Sequence, residues 1–237
     1  MKLLRVTLLL LVNLMTLFSA AAVAEKQNII SDRNEYGWKT IEITYEPGDK
    51  QYNNILKNIT YFDSNKEKIK EEYFYTEKVA NVTGLNKTIA YFDSNEKLTK
   101  VEYLHTEKFS NGIGYYKKTD YFDSNEKLTR VEFFYTDKFA KELGFNRDIT
   151  YLDNNEKMTK IDFFHIDSFT NEKGYYKKTD YFDSNENLTK REYFYTDKFA
   201  DEKGFNKSIA FYDSNEKMKM EEYYLQDRLI KTNSYHN

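Results

Sequence analysis

The chain has no cysteine among its 237 residues. Disulfides, thiol chemistry and a lipid-anchored cysteine are thereby excluded, so an exported protein of this kind must be held by packing and strand pairing. Only one proline and one tryptophan, Trp38, occur. No basic block is present. Acidic and basic residues alternate finely, which argues against a nucleic-acid partner. No Gly-x-Ser-x-Gly, no His-Glu-x-x-His and no phosphate-cradling glycine loop is found. No catalytic residue, metal site or cofactor is therefore expected.

One apolar run exists, at the start. Lys2 and Arg5 precede Val6–Phe18, interrupted only by Thr7, Asn13 and Thr16, and Ala22-Val23-Ala24 gives a small-x-small cleavage pattern. Residues 1–24 read as a secretory signal rather than a membrane anchor, because the run is short and no stop-transfer pattern follows. The expected mature chain is 25–237, a single domain that is secreted, periplasmic or at the cell surface. It has no transmembrane segment. Loss of Lys2 and Arg5 moves the net charge from −3 to −5. Aromatics make up 17% of the chain, which beside so many charges suits strands with both faces partly wet.

From residue 54 onward the sequence repeats every thirty residues. YFDSNEKLTKVEY at 91–103 returns with small changes, its first tyrosine falling at Tyr61, Tyr91, Tyr121, Tyr151 and Tyr181, with Phe211 in sixth place. Each copy opens at Gly84, Gly114, Gly144, Gly174 or Gly204, and the first opens at Asn54. Gly and Asn are the residues that accept positive φ, so a left-handed turn is expected there. A strand follows, then a D-S-N-E-K turn, a second strand such as LTKVEYLHT, and a polar loop carrying an aromatic such as Phe109 or Phe139. Each repeat reads as one β-hairpin. A partial repeat occupies 35–53, with a lone second strand at about 39–45 in which Ile41, Ile43 and Tyr45 align with Val101, Tyr103 and His105. Six repeats then span 54–233, ahead of a C-terminal tail. Thirteen strands result, with one more near Leu229–Tyr235. The expected fold is all-β: tandem antiparallel hairpins in an elongated twisted sheet or a β-solenoid.

Alternation puts Val101, Tyr103 and His105 on the inward face, and Lys100, Glu102, Leu104 and Thr106 on the outer one. A closed transmembrane barrel is disfavoured, because TDYFD and KKTD place charges on both faces. Copy one departs: Ile69 sits one place later than Leu98, and Glu71 replaces Val101, so this hairpin should pack least well. A sixty-residue pattern lies inside the thirty. Copies at 114 and 174 share GYYKKTDYFDSNE, and His105 and His165 alternate with Tyr75, Tyr135 and Tyr195. Either successive hairpins meet different surroundings, as on two sheets, or a pair was duplicated without structural meaning.

Each chemical candidate has a plain alternative. Asp93-Ser94-Asn95-Glu96 offers oxygens for calcium, but an EF-type loop needs a sixth-position Gly and a twelfth-position Glu, so a hydrogen-bonded turn is the better reading. His105 and His165 stand in equivalent slots sixty residues apart and read as aromatic-sized fillers of a Tyr slot. Glu102, Glu132, Asp162, Glu192 and Glu222 beside Lys100, Arg130, Lys160, Lys190 and Lys219 read as ion-pair ladders rather than catalytic carboxylates, since every copy offers the same environment. Five Asn-x-Ser/Thr sequons, at Asn58, Asn81, Asn86, Asn187 and Asn206, read as accidents of an Asn-, Ser- and Thr-rich chain. The candidate binding row is Phe74, Leu104, Phe134, Phe164, Phe194 and Tyr224. Repeated half-exposed aromatics stack on sugar rings or receive a partner protein, unless a second layer covers them as core.

DSNEKLTKVEY resembles the D-x-N-G-K-L-x-x-x-x-Y hairpin core of YwqK-type antitoxin repeats, which are relatives of MORN and YD repeats. That resemblance covers nearly all of 25–237 and implies a curved run of hairpins. YFDSN is also similar to the YYFD core of cell-wall-binding and toxin sugar-binding repeats, although those are rich in Trp and Gly. The glycine of both cores is replaced here by Glu96, Glu126, Glu156, Glu186 and Glu216, and by Lys66 in copy one. Glu disfavours positive φ, so a longer type I turn is expected in place of a tight type I′ one. The functional expectation is an exported, non-enzymatic surface for a protein partner. A glycan-binding module and a passive structural component are the alternatives.

Overall fold

The computed structural model describes residues 26–31, 39–44 and 54–235. Within it the chain forms one antiparallel sheet of fifteen strands in strict sequence order, open between its first and last strands. Strand β1 is Lys26–Ser31 and β2 is Lys39–Thr44. The hairpins that follow are β3 Ile55–Phe62 with β4 Lys68–Tyr75, β5 Leu85–Phe92 with β6 Leu98–His105, and β7 Tyr115–Phe122 with β8 Leu128–Tyr135. After them come β9 Phe145–Leu152 with β10 Met158–His165, β11 Tyr175–Phe182 with β12 Leu188–Tyr195, and β13 Lys207–Tyr212 with β14 Met218–Leu225. Strand β15, Arg228–Ser234, closes the series. The run from β2 to β14 is the thirteen strands read from the repeat, and β15 is the fourteenth. Strand β1 lies ahead of the repeat and was not legible in it. The segment 1–24 and Trp38 lie outside the described residues.

The inter-repeat segments are not loops. Each forms a two-turn helix: α1 Glu77–Thr83, α2 Glu107–Ile113, α3 Asp137–Leu143, α4 Asp167–Lys173 and α5 Asp197–Lys203. The local reasons are ordinary. Thr106 caps α2 by accepting the Phe109 N–H, an acidic residue occupies the first turn, and Gly114 ends the helix in the left-handed region at φ 94°. The glycine that opens each strand is thus the C-cap of the preceding helix.

The helices interlock from repeat to repeat. Thr106 N–H donates to Gly84 O at 2.7 Å, across the whole intervening hairpin. Asn54 O accepts Thr76 N–H at 3.1 Å in the same way, so it holds the glycine's place in the first copy. The Phe109 ring lies directly over Gly84, and a Cβ there would stand 2.0 Å from it.

The D-S-N-E-K turns are type I turns with one added left-handed residue, the three-residue hairpin class. Glu96 N–H donates to Asp93 O at 3.0 Å, and Asp93 N–H to Lys97 O at 2.9 Å. The longer turn is present, but the reason offered for it fails. Glu96, Glu126, Glu156, Glu186 and Glu216 do take positive φ, at 58, 59, 59, 62 and 58°. Side-chain hydrogen bonds help to hold them there. The Asp93 carboxylate accepts the N–H of Asn95 at 2.8 Å and of Lys97 at 2.9 Å. The Glu126 carboxylate, in turn, accepts Leu98 N–H of the preceding hairpin at 3.2 Å, a tie that glycine cannot make. Glu186 and Glu216 repeat it on Met158 and Leu188.

The better-buried face carries the core. Leu85, Ala90, Val101 and Tyr103 form a cluster, with Tyr75, Phe92, Leu98 and Phe122 against it. Glu71 stands in Val101's slot in copy one and remains only half-buried, bonded by Lys68 and Tyr73. Along the helix side of this face runs an aromatic spine. His105 stacks on Phe109, Tyr115 meets His105 and Phe133 edge-on, and Tyr175 does the same with His165 and Tyr193. Such pairs each contribute about 0.5–1.5 kcal/mol beyond the area they bury.

The sixty-residue alternation has a cause in this face, and it is not two sheets. Where the second strand ends in tyrosine, the hydroxyl bonds a small polar residue on the next strand. Tyr75 reaches Thr88 at 3.1 Å, Tyr135 reaches Asp148 at 2.6 Å and Tyr195 reaches Ser208 at 3.2 Å. Where it ends in His105 or His165, the next strand instead carries an ion pair, the buried Lys118–Asp120 at 2.9 Å or the half-buried Lys178 with Asp180 at 3.6 Å, where Arg191 also binds the carboxylate at 2.6 Å. The two members of each pair alternate together.

Because sizeable contacts join only neighbouring elements, stability should be close to a sum over adjacent repeats. Deleting 121–150 fuses Asp120 to Tyr151 in the same strand register. The product is expected to keep its far-UV circular dichroism per residue with two strands fewer. Collapse to coil would contradict nearest-neighbour stability.

Candidate binding face

The other face carries three rows of side chains that cross the strands. Alternation places Lys100, Glu102 and Leu104 here, and strand register sets them beside Tyr91, Ile89 and Lys87. In the first row tyrosines alternate with cations. Lys100 lies 3.6 Å over the Tyr91 ring, Arg130 3.7 Å over Tyr121, Lys160 3.7 Å over Tyr151 and Lys190 3.8 Å over Tyr181. These are close cation–π contacts.

The middle row holds the carboxylates. Glu102 pairs with Lys100 on its own strand at 3.0 Å and with Lys117 on the next at 3.4 Å. Glu72 is held by Lys70 at 2.9 Å and Lys87 at 2.8 Å, and Asp162 by Lys160 at 3.5 Å and Lys177 at 3.3 Å. Tyrosine hydroxyls of the first row add bonds, Tyr121 to Glu132 at 2.9 Å and Tyr181 to Glu192 at 3.1 Å. Burial pushes Glu72 and Asp162 up. Their hydrogen-bond partners outweigh it, the lysines at Glu72 and Thr179 with the lysines at Asp162, and both carboxyls sit below the ordinary range. Glu72, Glu102, Asp162 and Glu192 are each paired with two lysines, Glu132 pairs with Arg147 at 3.4 Å, and Glu222 is bonded by the Tyr224 hydroxyl, so the row reads as a ladder rather than a proton shuttle.

The third row is Phe74, Leu104, Phe134, Phe164, Phe194 and Tyr224, all half-buried. No described element forms a layer over it, so the row is not sheet core. Its rings are nevertheless partly occupied by the chain's own cations. Lys117 lies 4.9 Å from Phe134, Arg147 3.9 Å from Phe164, and Lys177 and Lys207 5.3 and 5.6 Å from Phe194. Leu104 offers no ring.

The aromatic surface left open is elsewhere, at Tyr116 and Tyr176, which are 48% and 49% exposed. Each is the extra residue of a β-bulge, where the register passes from Tyr115 to Lys117 and from Tyr175 to Lys177. A bulge re-aims its side chain. The Tyr116 ring lies 6.3 Å from Phe134. Around Tyr176 a cleft of about 530 Å³ is lined by Phe194, Asp197, Asn206, Lys207 and Asp227, among others.

His105 and His165 fill the Tyr slot, stacked on Phe109 and Phe169 at 5.4 and 4.5 Å, as Tyr195 stacks on Phe199 at 4.7 Å. Four strand spacings part them, about 19 Å. Burial, with Lys118 beside it, pulls His105 down to about 4. Among the described residues no group of three or more metal-ligating side chains comes together. Asp93 spends its carboxylate on turn N–H groups, as do its equivalents.

The fold and this face define an open β-hairpin repeat protein with one ion-paired, aromatic-lined face. No protein-family model matches the chain, and no curated protein matches it. Among the described residues no helix is long and apolar enough to cross a membrane.

Proposed function

We propose that the chain is an exported, non-enzymatic repeat protein whose ion-paired face is an extended binding surface at the cell envelope. The observation that carries this reading is the repetition of three aligned rows across an uncovered sheet face. Repeated weak sites in a line favour an elongated partner by avidity. Export rests on residues 1–24. The non-enzymatic reading rests on a row of carboxylates four of which are each held by two lysines in the same way. Of the two partner classes that suit such a surface, the open tyrosines of the bulges support a polysaccharide over the protein partner expected from the repeat alone.

The test is co-sedimentation of the purified protein with intact cells, protease-treated cells and insoluble cell-wall polysaccharide. The variant Phe134→Ala/Phe164→Ala/Phe194→Ala runs beside it, with folding checked by circular dichroism. Binding that survives protease treatment and drops about tenfold or more in the variant is expected. Loss on protease treatment would turn the assignment to a protein partner. No sedimentation with any of the three would leave a passive structural role.

A further inference from the structure

The bulge tyrosine of this cleft, Tyr176, has a counterpart in Tyr116. Sixty residues earlier the sequence carries Tyr116 for Tyr176, Phe134 for Phe194, Asp137 for Asp197, Asn146 for Asn206 and Arg147 for Lys207, whereas Asp167, at the place of Asp227 in the period, opens helix α4 instead of lying in the β14–β15 turn. The register between is different. There the bulge residue is Asn86 or Asn146, so the ring is missing, and the earlier odd position carries Leu56. Exposed bulge tyrosines therefore stand two hairpins apart, at Tyr116 and Tyr176. Their separation is four strand spacings, about 19 Å.

The chemistry of the cleft narrows its occupant. An aromatic ring held outward by a bulge offers a flat apolar surface to solvent, without the cation that covers the rings of the inner rows. Beside it stand an amide, one cation and two carboxylates, which supply both donors and acceptors. A ligand rich in hydroxyl groups matches both kinds, with its C–H face on the ring. Carboxylates in excess of cations disfavour a polyanion. An extended peptide would seek the unpaired backbone of a sheet edge, and this cleft lies on the face. A volume of about 530 Å³ is within the range of small-ligand sites.

We propose that Tyr116 and Tyr176 mark two equivalent subsites for one neutral polysaccharide chain, bound across the sheet. This rests on the extended-surface reading and assigns the ligand class and contact residues within it. A chain long enough to bridge both tyrosines binds more tightly than a short one, because the second contact becomes intramolecular.

The experiment is affinity electrophoresis of the full chain in gels containing hydroxyethylcellulose, laminarin, xylan, galactomannan or soluble starch. Oligosaccharides of the retarding polymer follow by titration calorimetry. Wild type is expected to be retarded by at least one polymer. Tyr116→Ala and Tyr176→Ala each weaken retention, and the double variant loses it with an unchanged circular dichroism spectrum. Affinity rises with oligosaccharide length in wild type and stops rising in either single variant. Retention by none of the five polymers, or retention unchanged in the double variant, overturns the proposal. The cell co-sedimentation separates the two levels. If wild type and double variant bind cells equally, only the subsites fail. If neither binds, the extended surface fails with them.

Discussion

Gly144→Val is expected to lower unfolding stability by about 2–6 kcal/mol, and Gly204→Val by only about 1–3. Both glycines sit in the left-handed region, at φ 83° and 80°, so valine carries the same backbone strain at each. What differs is the neighbour. A Cβ on Gly144 would stand 2.5 Å from the Phe169 ring, whereas a Cβ on Gly204 meets nothing within 4 Å. Phe169 cannot move aside cheaply, because it stacks on His165 at 4.5 Å and meets Tyr175 edge-on at 5.6 Å. Displacing it opens the aromatic spine at a repeat junction. Urea unfolding of the two variants gives the comparison. Equal losses would mean that the interlock of helix and glycine contributes nothing beyond backbone conformation.

Asp148→Thr should stabilise the protein by about 2–3 kcal/mol at pH 7.5 and change it little below pH 4. Asp148 is 8% exposed, and its Oδ1 has no hydrogen-bond partner. Burial, assisted by the Glu132 charge, pushes its carboxyl up to about 6, against the lowering effect of the Tyr135 hydroxyl bond. Between the ordinary value of 3.8 and about 6, the unfolded chain ionises while the folded chain stays protonated. Stability therefore falls as pH rises through that window and stays reduced above it. Threonine removes the charge and keeps an acceptor for Tyr135, which is the arrangement that Tyr75 and Thr88 already use at 3.1 Å. Chemical denaturation of both proteins from pH 4 to 8 should show the two stabilities diverging between pH 4 and 6. Parallel curves would show that Asp148 is ionised in the folded state.

The hairpins were legible in the sequence because period-two alternation and a thirty-residue period are carried by many residues at once. The helices were not, although Thr106, Glu107 and Gly114 spell a cap, an acidic first turn and a stop. Seven residues are too short for a helical periodicity to emerge, and such a helix exists only because it docks on the sheet. The left-handed glutamates were misjudged for a related reason. Intrinsic preference opposes positive φ at Glu126, and a bond to Leu98 of the neighbouring hairpin, invisible within one repeat, favours it. At the candidate site the Phe row was found from alternation. Tyr116 and Tyr176 were passed over because a bulge breaks the alternation used to find rows. The signal was present in GYYKK, which recurs only in the copies at 114 and 174.

The matched pairs between successive hairpins also constrain how the gene can gain or lose length. Each pair straddles a glycine: Tyr75 with Thr88, His105 with Lys118 and Asp120, Tyr135 with Asp148. A duplication or loss with ends at two glycines thirty residues apart sets a histidine against a partner shaped for tyrosine, or the reverse. With ends sixty residues apart, the partners agree again. Exchanges whose ends fall within the first strand, after Asp120 or its counterparts, carry each pair whole and tolerate any multiple of thirty. The identity of residues 114–126 with residues 174–186 lies on the sixty-residue spacing, where inheritance of a two-hairpin block leaves every partner matched.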